Sequence, residues 1–187
     1  MRTAVLAILA LLGAAPLAAE PHISDIRTAL DGRHVQVGFH LVDGFDDVLR
    51  ERIQSGLPTG IVYEIELLKD RKHWWDRALA SSTLQVVAMF NAVTREYLVN
   101  FKLDGRLIES RQLREVGELE EALTRVDLLP VFEVGEVGAD WRLLIAVRAE
   151  LGSSTILSII PTHLRTDWSE SRKFRPPASL TAPTERQ

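Results

Sequence analysis

Apolar and polar residues alternate with period two along much of this 187-residue chain. In 33–42, Val35, Val37, Phe39 and Leu41 share one face, opposite His34, Gln36 and His40. In 61–68, Ile61, Tyr63, Ile65 and Leu67 oppose Glu64 and Glu66. The pattern returns with Leu84, Val86, Ala88 and Phe90, and again with Tyr97, Val99, Phe101 and Leu103. It is cleanest in 141–151, where Trp141, Leu143, Ile145, Val147, Ala149 and Leu151 oppose Arg142, Arg148 and Glu150. A helix face gathers residues three and four apart, so it cannot collect such a set. A strand sends successive side chains to opposite faces and can. The pattern therefore predicts half-buried, mainly antiparallel strands.

The punctuation agrees. Asp31-Gly32 and Asp104-Gly105 each separate two strand-like runs, and both residue types tolerate the positive φ of a tight hairpin. Two stretches have helical spacing instead. In 44–55, Phe45, Val48, Leu49 and Ile53 form a stripe, Asp46 and Asp47 favour the first turn, and Gly56 with Pro58 ends it. In 117–127 the stripe is Leu119, Ala122, Leu123 and Val126. Both stripes read as core-facing. About eight strands and two short connecting helices predict a mainly β fold, an antiparallel β-sandwich immunoglobulin-like in architecture.

The termini read differently. Residues 1–19 place Arg2 before an apolar run, then small residues and Pro16, which is the layout of a cleaved signal peptide with the cut expected after Ala19. Losing Arg2 takes the formal net charge from −4 to −5. Arginine outnumbers lysine 18 to 4, the bias of a GC-rich bacterial genome. The expected location is therefore the periplasm. Residues 20–174 form the expected single domain, and the Pro-rich 175–187 reads as a disordered tail.

Several chemistries are poorly served. Without cysteine there is no lipid attachment, disulfide or thiol catalysis. A mildly acidic chain makes nucleic acid a poor partner, since phosphate binding needs clustered positive charge. His34 and His40 share a strand face about 20 Å apart, too far to chelate one metal. His22 would be third after cleavage, but Pro21 has no amide proton to lose, so a square-planar amino-terminal copper site cannot close. Neither a G-x-S-x-G elbow nor an S-x-x-K occurs. Carboxylates are many, and any two could meet as a glycosidase pair, but most fall on polar strand faces, helix starts or turns. We expect no catalytic residue, no metal and no cofactor, hence no enzyme.

Two basic-aromatic clusters are the positive features. Trp74 and Trp75 are flanked by Arg71, Lys72, His73 and Arg77. Trp168 lies near Arg165, Arg172, Lys173 and Phe174. Tryptophan and arginine are enriched at interfaces and at headgroup level, so Arg71, Lys72, Trp74, Trp75, Arg77, Arg165, Trp168 and Arg172 are candidate partner contacts. The competing readings are a bulged strand with both rings packed, for the first, and an edge strand whose aromatics close the sandwich, for the second. Gly152 to Ile160 reads either as an exposed β-edge able to accept a partner strand or as an ordinary final strand.

The order of features carries a resemblance. A helix runs into Gly56-Leu57-Pro58 and the strand Ile61-Val62-Tyr63-Glu64-Ile65. There follow Arg71-Lys72-His73-Trp74-Trp75-Asp76, a strand bearing Tyr97, Leu119-Glu120-Glu121-Ala122-Leu123, the long run 141–151, Ile160-Pro161 with Leu164-Arg165, and Trp168 to Phe174. Over residues 22–174 this resembles the domain-of-unknown-function 4390 family of exported proteobacterial proteins. The resemblance implies export and one domain, and supplies no catalytic residues. The expected function is a non-enzymatic periplasmic module that binds a protein partner, an envelope or membrane protein, with peripheral contact to the membrane. One alternative is a carrier of a lipid or other apolar ligand inside the sandwich, and another is an unrecognised hydrolase.

Overall fold

In a computed structural model, which describes residues 20–70, 77–134, 141–153 and 164–175, the alternating runs become strands. In chain order the elements are β1 (His22–Asp31), β2 (His34–Val42), α1 (Asp47–Gln54), β3 (Thr59–Lys69), β4 (Arg77–Asn91), β5 (Glu96–Leu103), β6 (Arg106–Leu113), α2 (Val116–Thr124), β7 (Arg125–Glu133), β8 (Leu143–Ser153), β9 (Leu164–Arg165) and β10 (Ser169–Glu170). The fold is mainly β. A three-stranded sheet has the order β1-β2-β7, and a seven-stranded sheet runs β10-β8-β3-β4-β5-β6, with β9 also on β8. All pairings are antiparallel and neither sheet closes, as in a β-sandwich.

The apolar halves of the runs meet between the sheets. Val35, Val37 and Phe39 from β2, Ile61, Tyr63 and Ile65 from β3, and Leu84, Val86 and Ala88 from β4 are all buried. Phe39 and Tyr63 face each other with ring centroids 4.8 Å apart and planes at 59°. The Tyr63 hydroxyl donates to the Leu123 carbonyl at 2.7 Å, tying β3 to α2. Helix α1 is capped by Asp46, whose carboxylate accepts from the Leu49 amide at 2.7 Å, and it buries Leu49 and Ile53. Helix α2 buries Leu119, Ala122 and Leu123. The Asp104-Gly105 hairpin has φ of 49° and 79°, the left-handed pair that a two-residue turn demands. At Gly60 the strands approach so closely that a Cβ would lie 1.9 Å from the Val86 carbonyl oxygen.

The structure corrects four boundaries. The helix expected over 117–127 stops at Thr124, and residues 125–133 are β7. Two register shifts against β2, and Pro130 opposite Gln36, break the period-two signal there. Proline is tolerated because β7 is the outer strand of its sheet. The first helix is shorter than 44–55, and β4 begins at Arg77, ahead of the alternating run. Trp141 precedes β8 rather than belonging to it. Within β8 the alternation hides burial on both faces. Leu143 through Val147 are all buried, because Leu144 and Ala146 form a second small cluster with Leu68.

Candidate interaction surface

The segment 164–175 lies along β8 for nearly its whole length. Two short strands would give little hold, so side chains complete the pairing. The Thr166 amide donates to the Ala149 carbonyl at 2.9 Å, and the Thr166 hydroxyl accepts from the Ala149 amide at 3.0 Å. Ser171 repeats the device against Ile145, at 2.8 Å from its amide and 2.9 Å to its hydroxyl. Phe174 and Leu143 exchange backbone bonds of 2.8 and 2.9 Å. Hydroxyls thus satisfy β8 amides where no regular strand does. We call this segment the strap.

Three candidate contact residues lie on it. Trp168, 38% exposed, rests on the Arg148 guanidinium, 4.4 Å from the ring centroid. Arg148 is fixed by Glu64, its partner in the β3–β8 register, with Nε 3.1 Å from the carboxylate. Arg165 pairs with Glu150 at 2.7 Å and reaches Glu64 at 3.6 Å. Its hydrogen bond to Glu150 holds it charged, raising its pKa above the ordinary value. Lys173 pairs with Asp70 at 2.9 Å. Arg172 is exposed and makes no ion pair among the described residues. The basic side chains Arg165 and Lys173 of this cluster are therefore each matched by a carboxylate, and Arg148 carries the tryptophan. Glu64, Arg148 and Glu150 complete the cluster, and sequence reasoning assigned them only to a polar face. Their alternation was a visible signal, but the pairing of Glu64 with Arg148 across 84 residues was not.

The other cluster is only partly described. Arg71, Lys72, Trp74 and Trp75 lie outside the described residues, as does the Ser154–Ile160 part of the expected β-edge. Arg77 is exposed at the start of β4, opposite Lys69. Lys69 places its ammonium 3.6 Å from the ring centroid of Trp141. Trp141, expected to line a strand face, thus stands beside the Lys69 that pairs with Arg77.

Two surface grooves flank the strap. One, of about 480 Å³, is lined by Glu20, His22, Leu164, Arg165, Asp167 and Ser169. It brings His, Asp and Ser together, but no hydrogen bond joins any two of these three. His22 Nδ1 instead faces the Glu20 carbonyl at 3.1 Å. A serine nucleophile needs its base within hydrogen-bond reach, about 3 Å, and no such relay is formed here. The other groove, of about 210 Å³, is lined by Arg142, Lys173, Phe174 and Arg175. Among the described residues no group of His, Cys, Asp and Glu is placed to hold a metal ion, and no helix is long and apolar enough to cross a membrane.

A family model described as Domain of unknown function (DUF4390) matches residues 18–170, from before β1 through β10. No curated protein and no solved structure matches the chain.

Proposed function

The chain belongs to the DUF4390 family, a domain of unknown function, and from that premise we propose that it is a non-enzymatic exported module that binds a protein partner at the cell envelope. The observation that carries this reading is Trp168. It is part-exposed on the outer side of the strap, yet held by Arg148 and, through Arg148, by Glu64. An aromatic presented in one fixed orientation loses little freedom on binding. Tryptophan and arginine are also the residues that most often dominate binding energy at interfaces. Export is supported by the 1–19 pattern alone, and the periplasm follows from it.

Binding at the surface is favoured over carriage of an apolar ligand inside. The space between the sheets is filled by Phe39, Tyr63, Ile65, Leu84 and Val86, each at most 1% exposed. The test is a pulldown from envelope extract with the wild-type chain, Trp168→Ala and Arg165→Ala. We expect one set of proteins to be recovered by the wild type and lost with Trp168→Ala. Recovery of the same set by both variants, or of none by the wild type, overturns the reading. Amino-terminal sequencing of the exported chain is expected to begin at Glu20, and a chain that keeps Met1 inside the cell contradicts export.

A further inference from the structure

The two margins of the seven-stranded sheet differ. The β8 margin is covered by the strap, bond by bond. The opposite margin is β6, eight residues long, with β5 on one side and no strand on the other among the described residues. Seven of its residues are exposed and Leu113 is half-buried. An uncovered edge presents a row of backbone donors and acceptors to any strand that fits. Natural edges are usually short or interrupted. Here the regular pairing with β5 is interrupted once, where Phe101 opposes Glu109 and Lys102 opposes Leu107, which leaves Ile108 as the extra residue.

We propose that this edge receives β6 of a second copy, antiparallel, about a two-fold axis through Ser110. Residues opposite each other in a sheet share a face, so a two-fold pairing of identical strands puts the axis on a residue. Charge then selects which residue. With the axis at Ser110, Glu109 lies opposite Arg111 of the second copy, and Arg111 opposite its Glu109. Moving the axis one residue either way sets Glu109 against Glu109 or Arg111 against Arg111, and like charges directly opposite are destabilising. The like pair that remains, Arg106 with Arg114, falls past the strand end, where Glu96 already holds Arg114 at 2.8 Å.

The side chains are prepared for this register. Arg111 makes two bonds to Glu109, at 2.6 and 3.0 Å, and its guanidinium lies 4.6 Å from the Phe101 ring centroid. That hydrogen bond holds the Glu109 carboxyl below its ordinary pKa, so the pair is charged at neutral pH. Each copy thus brings an ordered plus-minus pair to meet its own mirror in charge. Ile108 and Leu128, 44% and 43% exposed, border a groove of about 150 Å³ between β6 and β7 and lie at the rim of the same contact. The irregularity at Ile108 keeps the regular pairing short, so the dimer is weak and the charges decide it.

Analytical ultracentrifugation of the full chain, as its host exports it, tests this over a concentration series. The wild type is expected to self-associate. Glu109→Arg and Arg111→Glu each turn both attractive pairs into repulsive ones and weaken association about tenfold or more. An equal mixture of the two variants faces arginines with glutamates again and is expected to form a heterodimer, which changes in the stability of either chain cannot mimic. The double variant Glu109→Arg with Arg111→Glu recovers self-association. Thermal melts check that each variant is folded. A wild type that stays monomeric, a single variant that associates as the wild type does, or a mixture that stays monomeric overturns the proposal.

Discussion

Replacing Tyr63 with phenylalanine deletes one oxygen from the centre of the sandwich and leaves the ring against Phe39. The phenol is fully buried, and its hydroxyl supplies the Leu123 carbonyl with a donor at 2.7 Å. The variant loses a net hydrogen bond and leaves that carbonyl unpaired away from water. The two effects together predict a loss of about 2 kcal/mol. For a chain of this size that lowers Tm by about 4–8 °C. Tyr63→Ala, which also empties the ring's volume, should cost about 3–5 kcal/mol. Urea denaturation followed by circular dichroism measures both. The dependence on pH separates the hydroxyl from general packing. Burial pushes the phenol well above its ordinary 10.0, while in the unfolded chain it ionises there. Its contribution is therefore complete below pH 10 and falls by about 1.4 kcal/mol per pH unit above it, because only the unfolded state releases the proton. Tyr63→Phe lacks this decline, so the gap between the two proteins should close by about pH 11–12. A Tyr63→Phe variant as stable as the wild type at neutral pH, or a gap that stays constant through the alkaline range, would refute the reasoning.

Gly60→Ala should destabilise by about 3 kcal/mol, since its Cβ meets backbone that cannot step aside, and a loss under about 1 kcal/mol in the same titration would show that β4 yields more than packed cores do. Thr166→Val keeps the shape but withdraws the acceptor from the Ala149 amide, at a cost of about 1–2 kcal/mol. Hydrogen exchange at Ala149 should quicken while exchange in β4 and β5 does not, and unchanged exchange at Ala149 would mean that Thr166 does not hold the strap.

The parts of the fold legible in the sequence were those in which one residue out of two meets the core. Val35 to Leu41 and Ile61 to Leu67 announced β2 and β3 because each has a wet face and a dry one. The signal failed where that contrast was lost. Strand β7 shifts register twice and carries Pro130, so Leu128 and Pro130, in phase with buried Val126 and Phe132, are exposed, while Leu129 and Val131 between them are half-buried. Strand β8 kept its apparent alternation, yet Leu144 and Ala146 are buried by neighbours that no local pattern shows. The candidate interaction surface followed the same logic. Trp168 and Arg165 were conspicuous by type, and the structure places them together. Their meaning changed through Glu64, Arg148 and Glu150, which reach them only by way of the β3–β8 register. The edge of β6, which has no second neighbouring strand among the described residues, had no local signature, because being outermost is a property of the whole sheet.

The position of β3 carries a consequence for how the molecule assembles. Its β4 flank belongs to a run of neighbours, β3-β4-β5-β6, that can zip hairpin by hairpin as the chain emerges. Its other flank waits for β8, whose Arg148 is 84 residues downstream of Glu64. Closing so long a loop delays the pairing that rewards it, so we expect docking of β8 to be the slow step. Until then the strand at the heart of the protein is itself an edge, bare and rich in isoleucine and leucine, and open to pairing with the wrong chain. A product truncated before β8 would keep that edge for good and should be recovered in aggregates.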